Sequence, residues 1–368
     1  MNVRGTAAQR GGARPVDFGS RVRVVRTRFT SHRFSTRVLG VSALLFVVAV
    51  GVAIVAIRFG DFPLTVREVL AVLGGAGDEF HRMIVLEWRL PVAIAAAVFG
   101  ALLGIGGAIF QSLTRNPLGS PDVIGFDAGS YTAVVVMILV FGNASAWALA
   151  GAALVGGLAT AILVASLAYR NGFQGFRLII VGIGISAILG SINSFLITRS
   201  DSTDAIAVGF WGAGSITRVS WATLTPSLMI AAVLVLASVG LGPSLRRLEL
   251  GDDVAVAQGL RIGPARFALL VLGVATTALV TAAAGPIGFI ALVAPQLAKR
   301  IAKSAGTSLL SAAAMGAALL ATAHLVSLLI AQAYRAIPVG LITVCLGGLY
   351  LIWLLIRESR RVGAASST

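Results

Sequence analysis

The side chains that could carry chemistry are few and far apart. His32, His81 and His324 are the three histidines, Cys345 is the single cysteine, and Lys299 and Lys303 are the two lysines. A metal site needs several His, Cys or carboxylate ligands at motif spacing, and these histidines have no such companions. A lone cysteine builds neither an internal disulfide nor a thiolate cage, so Cys345 reads as a small apolar packing residue. A phosphate-cradling loop places Gly before Lys, and neither lysine follows glycine. Nor does a recognisable elbow present a serine nucleophile for a Ser-His-Asp site. Neither a catalytic residue nor a bound cofactor is therefore expected on this chain, and any nucleotide hydrolysis belongs to another polypeptide.

The surroundings of these groups set how they are read. Of 368 residues 57% are hydrophobic and 12% charged, and the mean hydropathy of +0.95 is far above that of a soluble domain. A helix crosses the ~30 Å hydrocarbon layer with about 20 apolar residues. Such runs can be drawn at 38–57, 91–110, 124–141, 146–169, 178–197, 222–241, 267–284, 288–298, 309–331 and 338–356. The reading is an all-α polytopic membrane protein of about ten transmembrane helices. The third run contains Asp127, and the eighth is short and interrupted by Pro295, so both must be buried by neighbouring helices. The 43 glycines suit lipid, where small residues let backbones approach; Gly100 and Gly104 in the second run invite that packing.

Charge orients the bundle. Nine of the 29 Lys and Arg precede the first run, opposed by Asp17 alone, so residues 1–37 read as a basic, unstructured tail lying against anionic headgroups. Arg-rich, acid-poor leaders of organellar proteins share this composition. No aromatic interleaving accompanies the charge, which argues against a nucleic-acid partner. With the tail inside, alternation through ten spans puts 22 basic residues on the inner side, leaving Arg58, Arg67, Arg82, Arg89, Arg199, Arg218 and Arg335 outside. That bias follows the positive-inside rule and places both termini, 1–37 and 358–368, in the cytoplasm, with 38–357 as the membrane domain.

Two polar loops are long enough to be structured. The outer loop, 58–90, mixes Asp61, Glu68, Asp78, Glu79 and Glu87 with arginines, a surface suited to water or a soluble partner. In the inner loop, 242–266, Asp252 or Asp253 can open a short helix at its positive dipole end and Gly259 can close it. Gly182, Ser186, Gly190 and Ser194 recur every four residues on one helix face, which serves either close packing or the wall of a translocation path. His324 is read as a neutral, hydrogen-bonded packing residue, with a proton relay as the alternative. Asp127 is the one acid well inside a run, which offers little to an ion-coupled secondary transporter.

Several stretches resemble a known family. Arg89-Leu90-Pro91, and the segment from Gly107-Ala108 through Gln111 and Arg115-Asn116-Pro117-Leu118-Gly119-Ser120-Pro121-Asp122 to Gly125, are similar to the permeases of iron-siderophore, haem and cobalamin importers, the FecCD/BtuC type. Leu250-Gly251-Asp252-Asp253-Val254-Ala255 and Gln258-Gly259-Leu260 resemble their cytoplasmic coupling helices. Ala284-Gly285-Pro286 through Pro295, and Pro338-Val339-Gly340-Leu341-Ile342-Thr343 with Gly347, resemble their later spans. The resemblance runs in order from about Arg37 to Arg357. Val92 stands where a second Arg is usual, Ala336 where Glu is usual, Gln296 where His is usual, and His324 near a usual Asp.

The resemblance implies a type II ABC importer permease in a bacterial inner membrane, carrying ferric siderophores, with haem or cobalamin as alternative cargo. It implies a second permease subunit, identical or paralogous, around a central path. A cytoplasmic ATPase dimer that uses ATP and Mg and an extracytoplasmic binding protein complete the assembly. On this chain the ATPase contact would be Leu250, Gly251, Asp252, Asp253, Val254, Ala255, Gln258 and Gly259, and binding-protein docking would fall to Arg89 and Arg335.

Overall fold

The computed structural model describes residues 22–26, 31–122, 125–142, 145–168 and 175–365. In lipid the backbone must satisfy its own polar groups, and an unbroken apolar run does so as a helix. The first is α1 (Thr36–Ile57). Ahead of it β1 (Val22–Arg26) and β2 (Ser31–Ser35) pair antiparallel, Val22 opposite Ser35 and Arg26 opposite Ser31. Within the segment 1–37, read from the sequence as a basic, unstructured tail, these two strands are part of what the structure describes. Val22, Val24, Val25 and Phe34 are β-branched or aromatic, and that local preference prevails over the surrounding charge. Residues 1–21 and 27–30 of that tail lie outside the described residues.

The 58–90 loop is structured, as its length suggested. Helix α2 (Val66–Leu73) starts at a capping box: the Thr65 N–H donates to the Glu68 carboxylate at 2.7 Å, and the Glu68 N–H donates to Thr65 Oγ1 at 3.3 Å. Helix α3 (Glu79–Arg82) leads through a π-helical stretch, Met83–Arg89, into α4 (Leu90–Thr114). The widening has a cause in Pro91, which lacks an N–H and whose ring crowds the carbonyl one turn back. The Leu90 N–H accordingly reaches past that turn to Val85.

The remaining helices are α5 (Phe126–Leu139), α6 (Ala146–Ala168), α7 (Gly175–Thr198), α8 (Ser202–Gly212), α9 (Trp221–Glu249) and α10 (Asp252–Ala257). They are followed by α11 (Ile262–Ala284), α12 (Ile290–Ala302), α13 (Leu309–Ala333) and α14 (Val339–Ala365). Helix α4 is the axis, packed by α9, α11, α12 and α13 and buried along most of its length. Small residues make that possible. A Cβ on Gly100 would strike the Gly316 carbonyl, and one on Gly107 the Ala291 carbonyl, so α4 meets α13 and α12 backbone to backbone.

Every apolar run drawn from the sequence contains a helix. Among the described residues seven helices are long and apolar enough to cross a membrane, while α5 and residues 339–354 of α14 are shorter apolar helices. Helix α12 has 13 residues and carries Lys299 and Arg300 in its last turn. The two weakest runs, α5 and α12, lie against neighbours as short segments must: Phe126 and Val134 of α5 and Ala291 and Ala294 of α12 are buried. Cys345 lies exposed on α14, which corrects its reading as a residue packed within the chain. An apolar side chain facing lipid or another subunit incurs no cost for that exposure.

Candidate functional site: the two ends of the bundle

Helix α10 caps one end of the bundle. Gly251, with φ of 110°, takes the turn out of α9 that a side chain would resist. Asp252 and Asp253 then occupy the first turn of α10, near its positive end, and Gly259, with φ of 77°, closes it. Leu250, Val254 and Val256 are 63%, 42% and 59% exposed, whereas Ala255 is fully buried. Asp253, Gln258 and Gly259 are exposed as well. The tip thus offers an apolar patch with polar edges, a composition fitted to a soluble partner.

Asp252 does not join that exposed patch. Its Oδ1 accepts from Arg115 Nη2 at 2.6 Å and from Arg266 Nη2 at 2.8 Å. Arg115 ends α4 in a left-handed conformation, φ of 51°, and Arg266 lies in the first turns of α11. Beside this triad Glu249 accepts from Ser112 Oγ at 2.8 Å and from the Thr307 N–H at 3.3 Å. The α9–α10 corner is therefore fastened to α4, to α11 and to the segment that opens α13. Sequence reasoning placed Asp252 but missed Arg115, Arg266, Glu249, Ser112 and Thr307, because nothing in the primary structure brings such distant positions together. The one available signal was Arg115 itself, a cation set directly before the helix-ending Asn116-Pro117.

The opposite end carries α2, α3 and the two arginines proposed for docking. The Arg89 guanidinium donates to the carbonyls of Ile57 at 2.8 Å and Phe62 at 2.6 Å, clasping the start of the 58–90 loop. Trp221 fastens the same loop from α9, its indole N–H donating to the Leu86 carbonyl at 2.8 Å. Arg89 is half-buried in this role, while Arg335 is exposed in the turn between α13 and α14. That turn is held in place where the Gly340 N–H donates to the Gly214 carbonyl at 3.0 Å, next to the Ser215 N–H on the Ala284 carbonyl at 2.7 Å. His324 is 5% exposed and borders a cavity of about 270 Å³ together with Asp61, Arg89 and Thr217. Its Nδ1 makes no hydrogen bond within the chain, unlike the bonded packing residue expected from the sequence.

The small-residue stripe on α7 divides. Gly182 is buried and Ser186 half-buried, both lying against Gly125. Gly190 and Ser194 are exposed, and a Cβ on Gly190 would meet nothing. One half of the stripe packs and the other half faces open space. Asp127, in the first turn of α5, accepts from Thr281 Oγ1 at 3.2 Å. Among the described residues no three His, Cys, Asp or Glu side chains gather as metal ligands.

Comparisons with known proteins agree along nearly the whole chain. Residues 44–357 match the FecCD transport family. The ferric enterobactin transport system permease protein FepG of Escherichia coli K12 is 45% identical over 329 residues, covering 89% of this chain and 99% of that one. The hemin transport system permease protein HmuU of Yersinia pestis is 34% identical, covering 74% of this chain and 83% of that one. A solved structure described as an inward-facing conformation of a putative metal-chelate type ABC transporter superposes with a TM-score of 0.73 at 24% identity. It covers 87% of this chain and 99% of its own, and it supports the fold.

Proposed function

The chain belongs to the FecCD transport family, and from that premise we propose that it is the membrane-spanning permease subunit of an ABC importer that carries ferric siderophores inward. The observation that carries this reading is the 45% identity to a ferric enterobactin permease over 99% of that protein's length. In this reading ten helices cross the membrane, two of them, α5 and α12, short and packed among neighbours, and both termini are cytoplasmic, in keeping with the distribution of Lys and Arg. Haem and cobalamin remain the alternative cargoes.

Each structural feature then has a task. Two copies, or this chain and a paralogue, enclose the path, and the open half of the α7 stripe at Gly190 and Ser194 contributes to its wall. The exposed Leu250, Val254 and Val256 of α10 enter a groove of the ATPase, which alone handles ATP and Mg. Closure of the ATPase dimer moves α10, and the Asp252 clasp passes the displacement to α4 and α11 as rigid bodies. Arg335 meets acidic groups of the extracytoplasmic binding protein. Arg89 contributes to that meeting chiefly by shaping the loop, since its guanidinium is occupied.

The test combines two measurements on a deletion strain. Complementation should restore uptake of ferric siderophore, and the tagged chain should copurify with a separate ATPase. Concentrative uptake by vesicles holding this chain alone, without nucleotide, would instead establish an ion-coupled transporter.

A further inference from the structure

A cavity of about 580 Å³ opens near the α10 end between α1, α9 and α13. Its two ends differ in chemistry. Ile105, Val235, Val239 and Ala313 line one end, whereas Ser35, Arg246, Glu249 and Thr307 line the other. From Val235 to Glu249 helix α9 advances about 21 Å at 1.5 Å per residue. One leaflet of a ~30 Å hydrocarbon core plus its headgroup layer has that depth. Val239 is 68% exposed, so the apolar end opens sideways to the surrounding lipid.

The polar end carries one charge of each sign. Arg246 and Glu249 lie three residues apart on α9, hence on one face of the helix, and both border the cavity. Among the described residues Arg246 forms no ion pair. Glu249 stays put because Ser112 and the Thr307 N–H hold its carboxylate. An exposed, unpaired cation and a held anion one turn apart, above a slot for hydrocarbon, match a headgroup with a phosphate and a primary ammonium.

We propose that this cavity binds phosphatidylethanolamine, with the phosphate on Arg246, the ammonium on Glu249 and an acyl chain along α9. Phosphatidylcholine offers the same charges but no N–H to donate to Glu249. Phosphatidylglycerol offers no cation at all. Glu249 ends α9 just before Gly251, so the bound lipid braces the wedge between α9 and α13 beside the corner that turns into α10. The proposal goes beyond the transport reading and shares with it only the placement of the chain in a bilayer.

The test needs neither cargo nor ATPase, so its outcome is separable from that of the transport reading. The full-length chain is placed in phosphatidylcholine nanodiscs with a trace of phosphatidylethanolamine bearing an acyl-chain diazirine, irradiated, and mapped by peptide mass spectrometry. Adducts should concentrate on residues 235–249 and 309–313. Unlabelled phosphatidylethanolamine should displace them about tenfold better than phosphatidylglycerol or phosphatidylcholine, the factor that one lost charge-assisted hydrogen bond gives. Glu249→Gln should erase the preference for phosphatidylethanolamine over phosphatidylcholine, and Arg246→Ala should weaken capture of all three lipids. Val239→Trp, at an exposed position, should fill the slot and abolish the adducts while the protein stays monodisperse. Adducts spread over every lipid-facing helix, or equal displacement by the three lipids, would overturn the proposal. So would labelling that appears only after residues 1–34 are deleted, because the tail would then be the occupant.

Discussion

Arg115 and Asp252 meet at 2.6 Å although 137 positions separate them, and Arg266 reaches the same carboxylate at 2.8 Å. Asp252 is thus a strut between α10 and the helices α4 and α11, and the apolar Leu250, Val254 and Val256 beside it lie exposed. Surface ion pairs contribute only about 0.2–1 kcal/mol each. Asp252→Asn should therefore lower the unfolding temperature little while letting α10 tilt independently of α4 and α11. In the reconstituted importer, cargo-stimulated ATP hydrolysis should persist as uncoupled turnover and uptake should drop about tenfold, a loss of 1.4 kcal/mol in coupling. Uptake equal to that of the unaltered complex would show that the clasp is dispensable. Adding Arg266→Gln to Asp252→Asn should cost nothing further, because both remove one interaction.

The glycines separate packing from path. Gly107→Ala drives a methyl group into the Ala291 carbonyl, backbone that cannot step aside. Overpacking of this kind costs about 1–3 kcal/mol or more. Purified yield and thermal unfolding in detergent should both fall. Gly190→Leu meets open space within the chain, so unfolding should stay within about 0.5 kcal/mol of the original. If Gly190 lines the path, uptake should fall even though stability does not. Loss of stability at Gly190 equal to that at Gly107 would return the whole stripe to packing.

What the sequence disclosed follows from the range of the interactions involved. The apolar runs located the helices because lipid leaves the backbone no alternative, and Asp252, Asp253 and Gly259 marked α10 because acids in a first turn and a closing glycine are local signals, although Gly251 is the N-cap and neither aspartate caps the helix. The close packing at Gly100 and Gly104 was likewise readable. Non-local geometry was hidden. Arg89 looked like a free docking cation, and only the fold reveals that the carbonyls of Ile57 and Phe62 occupy it. Helix α8 and its junction with Gly285 and Gly340 escaped notice because that segment is neither a full apolar run nor a charged loop. The hairpin before α1 was masked by its arginines.

Arg89 should accordingly behave as a structural clasp. Hydrogen bonds from a charged donor contribute about 1.5–3 kcal/mol each. Arg89→Ala removes two of them, and Arg89→Lys cannot restore the fork, because an ammonium does not present two diverging N–H groups in a plane. Hydrogen exchange of residues 58–64 should speed up in both variants. Arg335→Glu should leave that exchange unchanged and slow delivery by the binding protein, most visibly at low ionic strength. Equal exchange in Arg89→Ala and the parent would remove the clasp from the account.

The capping box of α2 makes the same loop sensitive to acid. The Thr65 backbone N–H and then its side chain hold the Glu68 carboxyl below its usual value of 4.5. A carboxylate depressed in the folded state adds stability that is fully present above its unfolded value and is lost as pH falls through the folded one. The loop should therefore stay capped at neutral pH and loosen only below the ordinary carboxylate range. Hydrogen exchange of residues 65–73, measured during acidification and corrected for the intrinsic rate, should show this step. Glu68→Gln should abolish it, since an amide keeps an acceptor but does not titrate, and should leave α2 slightly less protected at neutral pH. Thr65→Ala should move the step upward toward 4.5, the value of an unassisted carboxyl. An acid step that survives unchanged in Glu68→Gln would show that the capping box is not its source.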